Sequence, residues 1–177
     1  MADLSMEEST RALVEIESPT SDVHACAQVV SRARSLADEW LGTPGRVFEE
    51  EGRPAWQWGP EHPQILLLGH LDTVWPLGTL EEIPFAVHGD RMTGPGVFDM
   101  KAGVVQGWAA LARLAIDSQG PIGMLLTTDE ETGSHNSRSL IARVIRDCRS
   151  VLVLEPDRKS TRLNSSHQII SYAVFCL

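Results

Sequence analysis

One histidine and several acidic residues follow apolar runs of the sequence, where side chains of these types could hold a metal ion. The run QILLLG leads into His70-Leu71-Asp72, IGMLLTT leads into Asp129-Glu130-Glu131, and SVLVL leads into Glu155. Asp99 stands just after the Gly94-Pro95-Gly96 turn. Imidazole nitrogens and carboxylate oxygens are ligands of zinc in proteins. These four stretches therefore contain the residues that a metal-dependent reaction needs.

Each stretch also has an explanation without metal. The His-Leu-Asp sequence is compatible with a loop hydrogen bond, the Asp-Glu-Glu triplet with a solvated turn, and Glu155 with an exposed strand end. Asp99 is compatible with an N-cap of the helix that follows it. The recurrence of four such features at the ends of predicted elements favours a metal site.

The apolar pattern predicts the elements that must bring these residues together. The three apolar runs are typical of strands buried on both faces. Further elements are predicted as helices at 3–16, 100–116 and 136–147 and as strands at 47–49 and 55–58. Another helix is predicted to be capped by Asp22, to run to Trp40 and to be terminated by Gly42 and Pro44. The alternation of strand and helix predicts an α/β fold with a mostly parallel sheet flanked by helices. The carboxyl ends of parallel strands share one edge, so the candidate ligands are expected to meet there.

The composition argues against several classes of protein. A chain of 177 residues with 42% hydrophobic and 22% charged residues is typical of one soluble domain. A net charge of -9 argues against nucleic acid and anionic membranes as partners. No stretch reaches the roughly 18 apolar residues of a membrane helix, and the acidic start has no apolar segment typical of a signal peptide. Three widely spaced cysteines are interpreted as reduced thiols, which predicts a cytoplasmic protein.

Four stretches together resemble a known family in their order and separation. They are ILLLGHLDTV, GPGVFDMKAG, TTDEETGSHNSRSLI and LVLEPD. They resemble the signatures of the co-catalytic zinc amidohydrolases and exopeptidases, which include glutamate carboxypeptidase, acetylornithine deacetylase and succinyl-diaminopimelate desuccinylase. The TDEETGS segment is nearest to the glutamate carboxypeptidase branch. The resemblance implies a zinc-peptidase catalytic domain of the phosphorylase/hydrolase-like fold, present here in incomplete form.

The resemblance also implies a role for each matched residue. The metal ligands would be His70 and Glu155 on one zinc, Glu131 on the second, and Asp99 as a bridge between both. Asp72 would hydrogen-bond the other ring nitrogen of His70, and Glu130 would be the general base. Two Zn²⁺ ions, for which Co²⁺ is a possible substitute, would activate a bridging water for attack on an amide carbonyl.

Further residues of the matched stretches receive structural roles. The resemblance implies a cis peptide bond between Asp99 and Met100, an ion pair for Lys101 and close packing at Gly103. The other histidines fall outside the matched positions and are expected at the surface or in packing; they are His24, His62, His88, His135 and His167.

The end of the sequence departs from the family pattern. Residues 1–157 correspond to the N-terminal part of the di-zinc catalytic domain, whereas 158–177 is polar, Ser-rich and then apolar. This tail is interpreted as non-native or disordered, a loop with a final strand being the alternative. The family's lid or dimerisation domain and its C-terminal catalytic segment have no match, and the parent enzyme is expected to be a homodimer through that lid.

Two functions follow as hypotheses. The first is a hydrolase that cleaves an amide bond in a small peptide or N-acyl amino acid. The alternative is a truncated, catalytically inactive fragment that binds about one zinc tightly. An α/β domain with solvated carboxylates and no metal is a third, less favoured possibility.

Overall fold

The computed structural model describes residues 5–114 and 120–155. The helices are α1 Met6–Val14, α2 Val23–Leu41, α3 Thr79–Glu82, α4 Ala102–Arg113 and α5 Arg138–Val144. The strands are β1 Arg46–Glu50, β2 Arg53–Trp58, β3 Ile65–His70, β4 Ala86–His88, β5 Arg91–Thr93, β6 Ile122–Thr127 and β7 Ser150–Val153. The predicted tail at 158–177, with His167, lies outside the described residues.

A five-stranded sheet in the order β1-β2-β6-β3-β7 forms the centre of the fold. Strand β3 pairs in parallel with β6 on one side and with β7 on the other. Strand β2 is antiparallel to both β1 and β6, so four of these five strands run in one direction. The predicted α/β class with a mostly parallel sheet is confirmed.

Helices cover both faces of this sheet because its strands are apolar on both sides. On one face, Met124 and Leu126 of β6 share a core with residues of α1, α2 and α4. On the other face, Leu125 packs with Leu140 and Val144 of α5. Neighbouring residues of one strand thus contribute to two different cores, as the alternation of side chains along a strand requires.

Local sequence explains where the first two helices begin and end. Ser5 and Glu8 form a capping box at the start of α1. Asp22 accepts a hydrogen bond from the Ala25 N–H at the start of α2, a contact typically worth about 1 kcal/mol. Gly42 ends α2 with φ of 68°, a left-handed conformation that glycine adopts without steric cost.

Several element boundaries differ from the sequence-based expectation. Helix α4 begins at Ala102 rather than Met100, because Asp99 and Met100 have non-helical dihedral angles inside the wide turn Val97–Lys101. The glycine- and proline-rich segment before this turn contains α3 and the β4–β5 hairpin, which the sequence pattern did not predict. The predicted end of the α4 helix, at residue 116, lies outside the described residues.

Among the residues described, no helix combines the length and apolar character needed to cross a bilayer.

Candidate metal centre

Strand pairing brings the predicted ligand residues to one edge of the sheet. His70 is the last residue of β3 and pairs with Thr127, the last residue of β6. Glu130 and Glu131 follow β6 in a short 3₁₀ turn. The backbone pairing of β3 with β7 continues through the Leu154 N–H, which donates to the Leu68 carbonyl, so the next residue, Glu155, emerges beside β3.

The remaining predicted ligand, Asp99, lies in the wide turn that precedes α4. Gly96, with φ of 72°, packs this turn against the loop that follows β3. A Cβ atom at Gly96 would lie 2.6 Å from the Thr73 side chain. Only glycine therefore permits this close approach at the observed backbone conformation.

His70 lies at the centre of the cluster and is 1% exposed. Its Nε2 atom lies 3.2 Å from Asp99 Oδ1, 3.5 Å from Glu155 Oε1 and 3.8 Å from Glu130 Oε2. One buried nitrogen thus faces three carboxylates, an arrangement that attracts positive charge.

The second ring nitrogen of His70 is held by Asp72. Nδ1 lies 3.0 Å from the backbone carbonyl oxygen of Asp72 and 3.3 Å from its carboxylate Oδ1. Both partners are acceptors, so Nδ1 is assigned as the proton donor and Nε2 is the atom available to a cation. Burial lowers the pKa of His70, but hydrogen bonds with Asp72, Asp99 and Glu155 outweigh burial and raise that pKa to about 12. A metal ion at Nε2 would therefore take the place of a proton.

Asp72 is fully buried and connects the cluster to the surrounding backbone. Besides His70, its carboxylate accepts hydrogen bonds from the Thr20 hydroxyl at 2.7 Å and from the N–H groups of Glu130 at 3.3 Å and Glu131 at 3.2 Å. Burial raises the pKa of Asp72, but its hydrogen bonds to His70 and Thr20 bring that pKa below the usual value. Asp72 therefore stays ionised and fixes both the imidazole and the start of the Glu130-Glu131 turn.

The acidic side chains form two groups that share His70. In one, His70, Glu130 and Glu155 offer ligand atoms within 4.8 Å of one another; in the other, His70, Asp99 and Glu131 do so. Burial is the first cause, and neighbouring carboxylates a further cause, of raised pKa values for Glu130 and Glu131. A bound cation would relieve this crowding of negative charge.

Three structural expectations for the Asp99 turn have different outcomes. The Asp99–Met100 peptide bond is cis, as the resemblance implies. Gly103 is closely packed, since a Cβ atom there would lie 2.2 Å from the Leu154 carbonyl oxygen. The ion pair predicted for Lys101 is wrong: its buried ammonium donates to the carbonyls of Leu13 at 3.1 Å and Ile16 at 2.9 Å.

Lys101 has backbone carbonyls as partners instead of the predicted carboxylate, because the end of α1 lies against its side chain. Leu13 lies in the last turn of α1 and Ile16 just beyond it, and the C-terminal end of a helix attracts a cation. Burial lowers the pKa of Lys101 to about 7, against the raising effect of Asp72 and Glu17. Lys101 thus ties the Asp99 turn to the end of α1.

Sequence reasoning missed some residues that support the cluster. Nothing in the sequence pattern indicates a role for Thr20, and Asp129 appears there only as part of the Asp-Glu-Glu triplet. Asp129 is buried and accepts from the N–H groups of Asn136 and Ser137, which anchors the Glu130-Glu131 turn to the start of α5. No sequence signal identifies this role of Asp129, because its partners lie seven and eight residues further along the chain. Of the other histidines, His24, His62, His88 and His135 belong to neither ligand group in the described part of the chain.

Comparisons with known proteins find matches both in sequence and in fold. The sequence model described as Peptidase family M20/M25/M40 matches residues 66–166. Carboxypeptidase G2 of Pseudomonas sp. (strain RS-16) is 39% identical over 95 residues, which cover 52% of this chain and 23% of that protein. Succinyl-diaminopimelate desuccinylase of Gluconobacter oxydans (strain 621H) is 41% identical over 83 residues, which cover 44% of this chain and 21% of that protein. This chain therefore spans less than a quarter of the length of either relative.

Solved structures share the fold at low sequence identity. An M20 family metallo-carboxypeptidase, Sso-CP2 from Sulfolobus solfataricus, superposes with a TM-score of 0.65 at 16% identity, over 85% of this chain and 37% of that one. Human carnosine dipeptidase 1 superposes with a TM-score of 0.59 at 20% identity, over 84% of this chain and 37% of that one.

Proposed function

This chain belongs to peptidase family M20/M25/M40, and on that premise we propose that it carries the metal centre of an amide-bond hydrolase acting on a small peptide or N-acyl amino acid. One observation carries the proposal: Nε2 of the buried His70 faces three carboxylates, while Asp72 occupies Nδ1. Carboxypeptidases and a desuccinylase among its relatives support amide cleavage as the reaction.

The donor set fits zinc. In each group, one imidazole nitrogen and two carboxylate oxygens lie within 4.8 Å of one another, a spacing compatible with ligands around one small ion. The carboxylates of Asp99, Glu130, Glu131 and Glu155 bring more negative charge than His70 alone balances. His70, Glu155, Asp99 and Glu131 would be the ligands, with Asp99 shared between two ions.

Glu130 is proposed as the general base. Zinc, when bound, would lower the pKa of a water molecule and polarise the substrate carbonyl. The Glu130 side chain is 45% exposed and reaches to 3.8 Å from His70 Nε2, so it contacts both solvent and the cluster. Its raised pKa suits a carboxylate that accepts a proton from water and then donates it to the departing amine.

The second candidate function is metal binding without turnover. Both ligand groups use His70, and its Nε2 atom can bind only one ion at a time. A second ion would therefore rest on carboxylates alone within the described part of the chain. This arrangement favours one firmly bound zinc and a weak second site.

The test measures zinc binding and amide hydrolysis in the full chain. Calorimetric titration with zinc gives the number of ions and their affinities, and dipeptides and N-acyl amino acids with added Zn²⁺ or Co²⁺ give turnover. If Glu130 is the base, Glu130→Gln should lower turnover by about 10²–10⁴-fold with little change in zinc affinity.

Glu131→Gln is the matched variant, because it makes the same chemical change one residue later. It should weaken the second ion more than the first. Tight binding of one zinc with no turnover would support the second candidate, whereas no zinc binding would contradict both. Weaker binding of the first ion in Glu130→Gln would make Glu130 a ligand, as its proximity to Glu155 and His70 allows.

A further inference from the structure

The connector between α1 and α2 is bound at several points to the loop that follows β3. The Ser18 hydroxyl donates to the Leu71 carbonyl at 2.7 Å. The Thr73 N–H donates to the Ser18 carbonyl at 2.9 Å, and the Thr20 N–H donates to the Thr73 carbonyl at 3.2 Å. These bonds hold the connector against the loop that carries Asp72.

One contact of the connector reaches the metal centre directly. The Thr20 hydroxyl donates to Asp72 Oδ2 at 2.7 Å, and both residues are buried. The other donors to this carboxylate lie farther away, with His70 Nδ1 at 3.3 Å and the N–H groups of Glu130 and Glu131 at 3.3 Å and 3.2 Å. Thr20 therefore makes the shortest hydrogen bond that orients Asp72.

The position of Thr20 is itself fixed by its backbone. Its N–H donates to the Thr73 carbonyl, and its own carbonyl accepts from the Arg53 guanidinium. A hydroxyl held in this way restricts rotation of the Asp72 carboxylate and keeps Oδ1 on the side of His70. Without that hydroxyl, Oδ2 would keep only the Glu131 N–H as a donor and would be a poorly satisfied buried acceptor.

We propose that Thr20 is a positioning residue of the metal centre, whose hydroxyl fixes the Asp72 carboxylate and through it the imidazole of His70. This inference rests on the proposed function, because it takes His70 Nε2 to bind the metal. Loss of a group that orients a ligand typically costs about 10–100-fold in metal affinity. Thr20 acts through Asp72, so the lower end of that range, about tenfold, is expected.

The test titrates the full chain with Zn²⁺ and Co²⁺ and records the visible absorption of the cobalt complex. Thr20→Val removes the hydroxyl at nearly constant volume, and Thr20→Ser keeps it. Thr128→Val is the matched control, since the buried Thr128 hydroxyl donates at the same 2.7 Å to the Pro54 backbone carbonyl. Thermal unfolding of the metal-free variants measures stability separately.

The inference is supported if Thr20→Val binds zinc about tenfold more weakly with a changed cobalt spectrum, while Thr20→Ser and Thr128→Val resemble the parent chain. Equal losses in Thr20→Val and Thr128→Val, or no loss in Thr20→Val, would overturn it while leaving the metal centre intact. If the parent chain binds no metal, the inference and the proposed function both fail.

Thr20→Ala provides the same comparison without the buried methyl groups of valine, should Thr20→Val not fold. If Thr20→Val and Thr20→Ala are both unfolded before metal is added, the hydroxyl is needed for folding and not specifically for positioning Asp72. That outcome would also overturn the inference.

Discussion

The proposed metal centre has two halves that differ in how they are held. Asp72 and His70 are at most 1% exposed, and protein donors or acceptors contact each polar atom of both side chains. Asp99, Glu130 and Glu155 have side chains that are 56%, 45% and 35% exposed. We refer to His70 and Asp72 as the buried half. The exposed half consists of Asp99, Glu130, Glu131 and Glu155.

The difference indicates which side chains of the site are held in position by the fold alone. Hydrogen bonds from Thr20 and from two backbone N–H groups stabilise the buried half without any cation. The exposed half is a group of carboxylates that repel one another, and its raised pKa values at Glu130 and Glu131 reflect burial together with that repulsion. A metal ion should therefore stabilise the exposed half far more than the buried half.

The largest effect is expected for His70→Ala, which removes the one nitrogen shared by both ligand groups. Zinc affinity should fall by more than about 100-fold, because losing a direct ligand costs more than losing its support. Isothermal titration measures the change. His88→Ala, at the exposed end of β4, is the control and should bind zinc as the parent chain does. Comparable affinity in both variants would remove His70 from the site.

Asp72→Asn should produce the next largest effect. The amide keeps the size of the carboxylate but replaces one acceptor with a donor that faces the Glu131 N–H or His70. We expect about 10–100-fold weaker zinc binding, together with lower stability of the metal-free chain. Titration and chemical denaturation measure the two quantities. Asp38→Asn, on the exposed surface of α2, should change neither. A destabilised Asp72→Asn with unchanged affinity would limit Asp72 to a structural role.

Gly103→Ala should disturb the exposed half through the backbone. The added Cβ atom would meet the Leu154 carbonyl at 2.2 Å, next to Glu155, and the strand cannot move aside freely. Overpacking of this kind costs about 1–3 kcal/mol in the free energy of unfolding, and zinc binding should weaken as Glu155 shifts. Denaturant unfolding and titration test both.

Gly107→Ala in the same helix is the control for Gly103→Ala. Its Cβ atom would meet side-chain ends, with Leu154 Cδ1 at 3.1 Å and Met124 Cε at 3.3 Å. These can yield, and alanine also favours the helix by up to about 1 kcal/mol. Equal destabilisation of both variants would contradict the Leu154 contact as the cause.

The smallest effect, and one of opposite sign, is expected for Glu131→Gln. A native carboxyl with a raised pKa binds more protons than in the unfolded chain, so its contribution to stability is lost as pH rises through that pKa. Removing the charge should leave the metal-free chain as stable as the parent or more stable at pH 7, by about 0.5 kcal/mol or less. The decline of stability with rising pH above 4.5 should also become shallower.

Chemical denaturation across this pH range measures the effect, and Glu39→Gln on the exposed surface of α2 is the control. Marked destabilisation of metal-free Glu131→Gln would show that the exposed half is held as firmly as the buried half.

Residue type and strand ends were enough to predict which residues gather, because strand pairing in a parallel sheet determines where strands end. The helix caps at Asp22 and Gly42 were predictable for a different reason, because each depends only on a few neighbouring residues. The close packing at Gly103 followed from the resemblance. These features depend on short stretches of sequence or on a repeated pattern.

Other contacts leave no such pattern in the sequence. Thr20 reaches Asp72 across 52 positions, and a lone hydroxyl has no characteristic spacing from its acceptor. The matched stretch implied an acidic partner for Lys101, yet the end of α1 and the residues just after it supply two backbone carbonyls instead. The three-residue strands of the β4–β5 hairpin are too short for alternation to be recognised.

The order of the strands has a consequence for how the chain folds. Strand β3, which carries His70, lies between β6 and β7, and both of these follow it in the sequence. During synthesis, both edges of this apolar strand stay unpaired until these later segments have been made, and pairing over such separations is intrinsically slow. We therefore expect the nascent chain to be most prone to aggregation before β6 and β7 have paired with β3, a period in which a chaperone that covers apolar strands would act.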